Sequence, residues 1–361
     1  MTRALVLSGG GARGAFQVGM LEELVVHKKL DFHVIRGVSV GALNGAILAQ
    51  APMEGGRSQQ NLAGVVKQLV HLWIKDIKGN HSVYSDRAGW IGVVAGADSL
   101  YSFKPLENLI KKYVKPARFK TSKRDFKVGT VSLVKGTYQE WDSKKAGFLQ
   151  RIIASASIPA VFPFIDIKNE EDVLVDGGVR NITPLKSAFK AKPDEIYVLL
   201  ASNVQKPKDP RDVVPESAAE VYTYDQWDDN FLGTKVNAMD VLERTLDILT
   251  DEIYLEDIKT AVKWNAIAAA IENLKEAEGS HVPSSGVLRE AITRVTQTLE
   301  EVKKRAVKIH VLAPTQWFDP DPQAEPGKKN SAINFSPRLI QQAIEHGKEI
   351  ARDTNKWLYS G

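Results

Sequence analysis

The chain has 361 residues, 43% of them hydrophobic and 25% charged, proportions that exclude disorder and a bilayer-embedded chain and allow one large α/β unit with insertions. Its 48 Lys and Arg nearly cancel 44 Asp and Glu, leaving +4. With no basic stripe interleaved with aromatics, no nucleic-acid partner is expected. The absence of Cys excludes disulfides, thiolate metal sites and cysteine nucleophiles, so any covalent catalysis falls to another residue.

The first strand is expected from Ala4 and runs into Gly9-Gly10-Gly11-Ala12-Arg13-Gly14. No basic lead and apolar run of a secretory signal precede it, and no window approaches the roughly 18 apolar residues of a membrane span. The expected location is cytoplasmic, with any membrane contact peripheral. Phe16, Met20, Leu21 and Leu24 then recur at helical spacing, with Glu22 and Glu23 on the polar face. Residues 34–38 form a second strand and residues 40–50 a second helix, with Val40, Leu43 and Ile47 on one face and Pro52 as the stop. Strand, helix, strand, helix within fifty residues predicts a parallel sheet.

Residues 51–61 read as connection and 63–74 as a cover helix. Residues 80–104, with Tyr84, Trp90, Tyr101 and Phe103, read as a surface excursion near the site. Residues 126–132 and 137–141 around Lys135-Gly136 predict a hairpin, and residues 147–156 a short helix. The apolar stretch 157–164 cannot be helical throughout because of Pro159 and Pro163, and is expected to line a cleft. Residues 173–175 form a strand that delivers Asp176-Gly177-Gly178 to its end, and 195–201 a further buried strand. Residues 204–216 have linker composition, and 217–304 are largely helical. The aromatics there (Tyr222, Tyr224, Trp227, Phe231, Tyr254, Trp264) are at spacings more typical of packing than of a lid. Residues 306–312 return as a strand, and Pro337 opens a final helix after Ser336. The expected division is a core of 1–203, a helical insertion over 204–305 and a return strand and helix over 306–361.

Gly9-x-Gly11-x-x-Gly14 matches the dinucleotide fingerprint, but the acidic residue that should end the second strand is replaced by Gly37 to Ser39. The stretch also fails as a P-loop, since Ala15 and Phe16 stand where Lys and Ser or Thr are needed. A nucleotide-binding or regulatory protein is thus the lesser alternative. The better reading is that the amides of Gly10 and Gly11, near the positive end of a helix, stabilise an anion formed during reaction.

Gly37-Val38-Ser39-Val40-Gly41 has the Gly-x-Ser-x-Gly spacing of a nucleophile elbow, at a strand-to-helix turn. A triad in the order Ser, Asp, His leaves only His281, His310 and His346 after Asp176. They fall in a helical break, a strand and a helix, where a structural role is the simpler reading. A Ser-Asp pair without histidine fits better.

On Ser8 to Gly14, Gly37 to Gly41, the apolar segment 154–164 and Asp176-Gly177-Gly178, the chain resembles the patatin-like phospholipases, bacterial branch, over residues 3–201. Ser8 stands where many of them have Asp. The resemblance implies a three-layer α/β/α fold with a mostly parallel central sheet. It also implies a lipid acyl hydrolase of phospholipase A, lysophospholipase or carboxylesterase type, with a lipid or fatty-acyl ester as substrate and no metal or organic cofactor. Carried over, Ser39 is the nucleophile, Asp176 the base, and Gly9, Gly10, Gly11 and Arg13 the oxyanion hole. Ile158, Pro159, Val161 and Phe162 line the substrate cleft. An aspartate with an ordinary pKa of about 3.9 is a weak base at neutrality, so burial should raise it.

Overall fold

In the first strand, alternate residues supply two different cores. From β1 (Arg3–Leu7), Leu5 and Leu7 enter one apolar cluster while Ala4 and Val6 enter another on the opposite face. The period-2 alternation of a strand buried on both sides separates the two helical layers. The computed structural model describes residues 1–87, 98–167, 170–203, 307–316 and 332–360, with scattered positions between 241 and 270.

The remaining strands are β2 (Val34–Val38), β3 (Ser85–Asp86), β4 (Tyr101–Ser102), β5 (Asp125–Ser132), β6 (Thr137–Asp142), β7 (Ile165–Ile167), β8 (Asp172–Asp176), β9 (Glu195–Leu199), β10 (Lys308–Leu312) and β11 (Tyr359–Ser360). The large sheet runs β11-β10-β9-β1-β2-β5-β8-β7, with β6 added beside β5, while β3 and β4 form a separate ribbon. Strands β10, β9, β1, β2 and β5 are mutually parallel, and β6, β7, β8 and β11 join antiparallel. Helices α1 (Gly14–Leu21), α2 (Val40–Leu48), α3 (Ser58–His71), α4 (Lys104–Tyr113), α5 (Pro116–Ser122) and α6 (Phe148–Ser155) contribute to the first core, as does the C-terminal α8 (Pro337–Arg352). Helix α7 (Leu185–Lys190) covers the other face together with Ile258, Ala261 and Val262. This is the mostly parallel three-layer α/β/α arrangement expected from the sequence.

One register positions the site. Strand β6 pairs with residues 127–132 of β5 along one edge, so β2 and β8 must share the other edge in succession. Strand β2 pairs as far as Gly129, and β8 takes over at Thr130, which lies opposite Asp176. Because β8 runs antiparallel, its last residue advances toward the end of β2. Ser39, the residue after β2, therefore meets Asp176 end to end beside β5.

Three local expectations differ from the structure. Helix α1 is buried along its whole length and continues as a wider helical turn over Glu22–His27, in which Glu23 is buried too. Helix α8 lies against this segment, and its Lys348 and Arg352 pair with Glu22 at 3.0 Å and Glu23 at 3.6 Å. Residues 80–104 are no surface excursion where described, since Val83, Tyr84, Leu100 and Phe103 are buried; Trp90 lies outside the described residues. Helices α4 and α5 occupy a stretch to which sequence reasoning assigned no element. The linker at 204–216 and the aromatics considered for a lid lie outside the described residues, as does His281. Among the described residues no helix is long and apolar enough to cross a membrane.

Candidate active site

Ser39 sits at the junction of β2 and α2 with φ 56° and ψ −130°, a conformation that costs an L-residue roughly 1–3 kcal/mol and recurs where function demands it. The strained turn is held by its neighbours. The Ser39 N–H donates to Oγ of Ser155 at 3.0 Å, and that hydroxyl donates to the Gly129 carbonyl at 2.6 Å. The side chain of Ser39 is buried and lies beside the Asp176 carboxylate, whose acidity its hydroxyl strengthens.

Asp176 ends β8 with its own N–H donated to the Ser157 carbonyl at 2.9 Å, and its Oδ1 accepts the Gly178 N–H at 2.7 Å. Burial pushes its carboxyl up to about 7, against the opposing pull of the Ser39 hydroxyl and the Gly178 N–H. The chain must leave the sheet at once to avoid β5. Gly177 permits this, since a Cβ there would stand 2.5 Å from the Gly129 carbonyl oxygen.

The glycine turn lies against this pair, with Gly9 so near that a Cβ on it would be 3.1 Å from Cβ of Ser39. Of the three glycine amides expected to face an oxyanion, that of Gly9 is already committed to the Ile182 carbonyl at 3.2 Å. The amides of Gly10 and Gly11 meet no acceptor among the described residues. The Ala12 N–H goes to the Ala332 carbonyl at 2.6 Å, and the Arg13 N–H closes the turn on the Gly10 carbonyl at 3.1 Å. The Arg13 N–H is therefore spent on closing the turn, and its side chain is buried. A phosphate cradle would need several converging free amides, and two remain.

An apolar cavity opens from Ser39 and Gly11 and follows the stripe Val40, Leu43, Asn44 and Ile47 along α2. Ile158 and Phe162 line it as expected, but Pro159 and Val161 do not. The reason is a helical turn closed by the Phe162 N–H on the Ile158 carbonyl at 2.9 Å, which puts these two residues on one face, while Val161 is buried in the core behind. Polar atoms in the wall are satisfied elsewhere. Asn44 gives its amide to the Gly14 carbonyl and Gln17 Oε1 and accepts from Nε1 of Trp73, and the Tyr113 hydroxyl donates to Asp76.

Sequence reasoning missed the opposite wall, formed by Leu106, Leu109, Ile110 and Tyr113 of α4 and by Ile333 and Phe335. The first four stand at i, i+3, i+4 and i+7, a helical stripe that could have been found. Of the histidines weighed as a base, His310 is within 2.9 Å of the Ser360 hydroxyl, and His346 accepts from the Thr315 N–H at 3.2 Å.

A sequence model of the patatin-like phospholipases matches residues 5–189, half the chain, including the glycine, Ser39 and Asp176 turns. The chain belongs to the patatin-like phospholipase family. No curated protein sequence matches the chain. Among solved structures, VipD from Legionella pneumophila is similar with a TM-score of 0.39 and 13% identity, over 97% of this patatin-like chain and 66% of that one. The chain thus spans slightly less than two thirds of VipD.

Proposed function

We propose that the protein is a serine hydrolase that cleaves carboxylic esters of lipids through a Ser39–Asp176 dyad and an acyl-serine intermediate. The observation that carries this reading is the buried carboxylate of Asp176, set beside the Ser39 turn by the shared edge of β5 and with its pKa pushed up to about 7. A group with that proton affinity is a competent base near neutrality, which an ordinary aspartate is not.

In the proposed reaction Asp176 takes the Ser39 proton as Oγ attacks the ester carbonyl. The negative charge that develops on the carbonyl oxygen is met by the Gly10 and Gly11 amides, and protonated Asp176 returns its proton to the departing alkoxide. Water then repeats the sequence on the acyl-serine, with Asp176 again as base. Removing one oxyanion donor typically costs about 100 to 1,000-fold in rate. The acyl chain takes the apolar cavity. Ile47 lies about 12 Å along α2 from Ser39 at 1.5 Å per residue, the reach of an extended chain of roughly ten carbons.

The test is an ester panel graded by acyl length and headgroup, run on the parent, Ser39→Ala and Asp176→Asn, with fluorophosphonate labelling in parallel. Label on Ser39 and loss of turnover in both variants are expected. Undiminished turnover by Ser39→Ala would refute the mechanism, and an unlabelled, inactive parent would favour a non-hydrolytic use of the glycine turn.

A further inference from the structure

Residues 332–335 lie far outside the stretch that matches the family, yet they touch both halves of the site. The Ala332 carbonyl accepts the Ala12 N–H at 2.6 Å, and Ile333 and Phe335 wall the acyl cavity. We infer that these residues form a strap that completes the active site, with Ala332 fixing the oxyanion turn, Phe335 setting acyl selectivity, and Tyr84 and Asn80 as positioning residues that hold the strap. This inference rests on the hydrolase reading of Ser39.

The turn needs such a support. Gly10 and Gly11 adopt φ of 149° and 56°, conformations that are open to glycine but not fixed by it, because a residue without Cβ has many alternatives of similar energy. The turn is fixed by hydrogen bonds: Gly9 to Ile182, Arg13 to Gly10, and Ala12 to Ala332. Only the last comes from the strap, and it also decides which amides stay available, since it takes the Ala12 donor away from the reaction centre. The approach is as close as it can be, for a Cβ on Gly11 would lie 2.0 Å from the Ala332 oxygen. Oxyanion stabilisation depends on donors held in place before charge develops, so looseness here is read directly in the rate.

The strap is pinned from its far side. The Tyr84 hydroxyl donates to the Ile333 carbonyl at 2.9 Å, the Phe335 N–H donates to Oδ1 of Asn80 at 2.7 Å, and the Phe335 ring stacks on Trp73 with centroids 6.3 Å apart. Ser336 then stands at the N-cap position of α8, which packs along α1, the helix that follows the glycine turn. The turn is thus gripped through its helix and through its backbone by one continuous segment.

The experiment compares the parent with Tyr84→Phe, Phe335→Leu and Phe335→Ala, all corrected for folded fraction by thermal melts. It measures kcat and KM across acyl lengths and the rate of fluorophosphonate labelling at Ser39. Tyr84→Phe, which removes one oxygen, should lower kcat and the labelling rate together by about tenfold with KM unchanged, a fraction of the loss caused by deleting a donor outright. Phe335→Ala should move the acyl optimum toward longer or bulkier chains, raising the ratio of long-chain to short-chain kcat/KM by about tenfold, a transfer difference of one or two methylenes. Phe335→Leu should fall between. A labelled, active parent whose variants keep the same labelling rate and acyl profile overturns the strap's role alone. A parent neither labelled nor active overturns the hydrolase reading and the strap's role with it.

Discussion

Replacing Asp176 with Asn should stabilise the protein at neutral pH while abolishing its activity. Burial raises the folded-state carboxyl from 3.8 to about 7, so between roughly pH 4 and pH 7 the folded form retains a proton that the unfolded chain has released. Stability contributed by this group is therefore present in acid, falls as pH rises through that window, and is fully lost above it. At about 1.4 kcal/mol for each tenfold change in proton affinity, the deficit approaches roughly 4 kcal/mol above pH 7. Asparagine removes the ionisation and still offers an oxygen to the Gly178 N–H. The assay is urea unfolding of parent and Asp176→Asn at intervals from pH 4 to pH 8.5. Their difference should be near zero at the acid end and grow in favour of the variant as pH rises. Asp257, also raised to about 7 by burial and the neighbouring Glu256, titrates in both proteins and cancels in the subtraction. In the parent, kcat/KM should rise with pH through the same region as the base deprotonates. Parallel stability curves for the two proteins would refute the buried-base argument.

Three further outcomes are expected. Ser39→Ala and Ser39→Gly should be equally inactive, but the glycine variant should unfold about 1 kcal/mol later in urea, because it accepts the φ of 56° without strain. Ser155→Ala strips the acceptor from the buried Ser39 N–H and the donor from the Gly129 carbonyl, and should cost about 1–3 kcal/mol by urea melt together with a lower kcat on every ester. Ile47→Phe fills the inner part of the cavity along α2. It should lower kcat/KM for chains of roughly ten carbons or more by about tenfold and leave short esters unchanged in the same panel.

What the sequence made legible follows from how local each signal is. The glycine turn and the serine turn are each encoded within a few residues, so their strand-to-helix positions could be read directly. The hairpin around Lys135-Gly136 and the helix opened by Pro337 are equally local, and both are present. The meeting of Ser39 with Asp176 is different, because no local pattern states that β8 will run antiparallel in line with β2. Only the family resemblance places the two together. The cavity was harder still. Leu106, Leu109, Ile110 and Tyr113 announce a helix face but not what that face confronts, and Ile333 and Phe335 sit in an irregular stretch with no periodicity at all. Pro159 and Val161 depart from expectation for a related reason, as the apolar run does not present all its side chains to one cleft but is divided by a helical turn between cavity and core.

The register of β5 also accounts for how the proposed dyad does without histidine. In a triad the imidazole bridges a gap between a serine and an acid that sit on separate loops. Here β2 and β8 share one edge of β5 and approach from opposite directions, so the strand ends themselves bring Ser39 and Asp176 side by side. No third side chain is needed to span the distance, but the acid then has to act as the base itself. That requires desolvation, and the same packing supplies it, since Asp176 is enclosed by β5, the Gly177–Val179 turn and the Ser157 carbonyl. In the proposed mechanism, the burial that lets Asp176 accept a proton at neutral pH is the burial that costs stability there. An exposed Asp at this position would be stable and ionised, and too weak a base to activate Ser39.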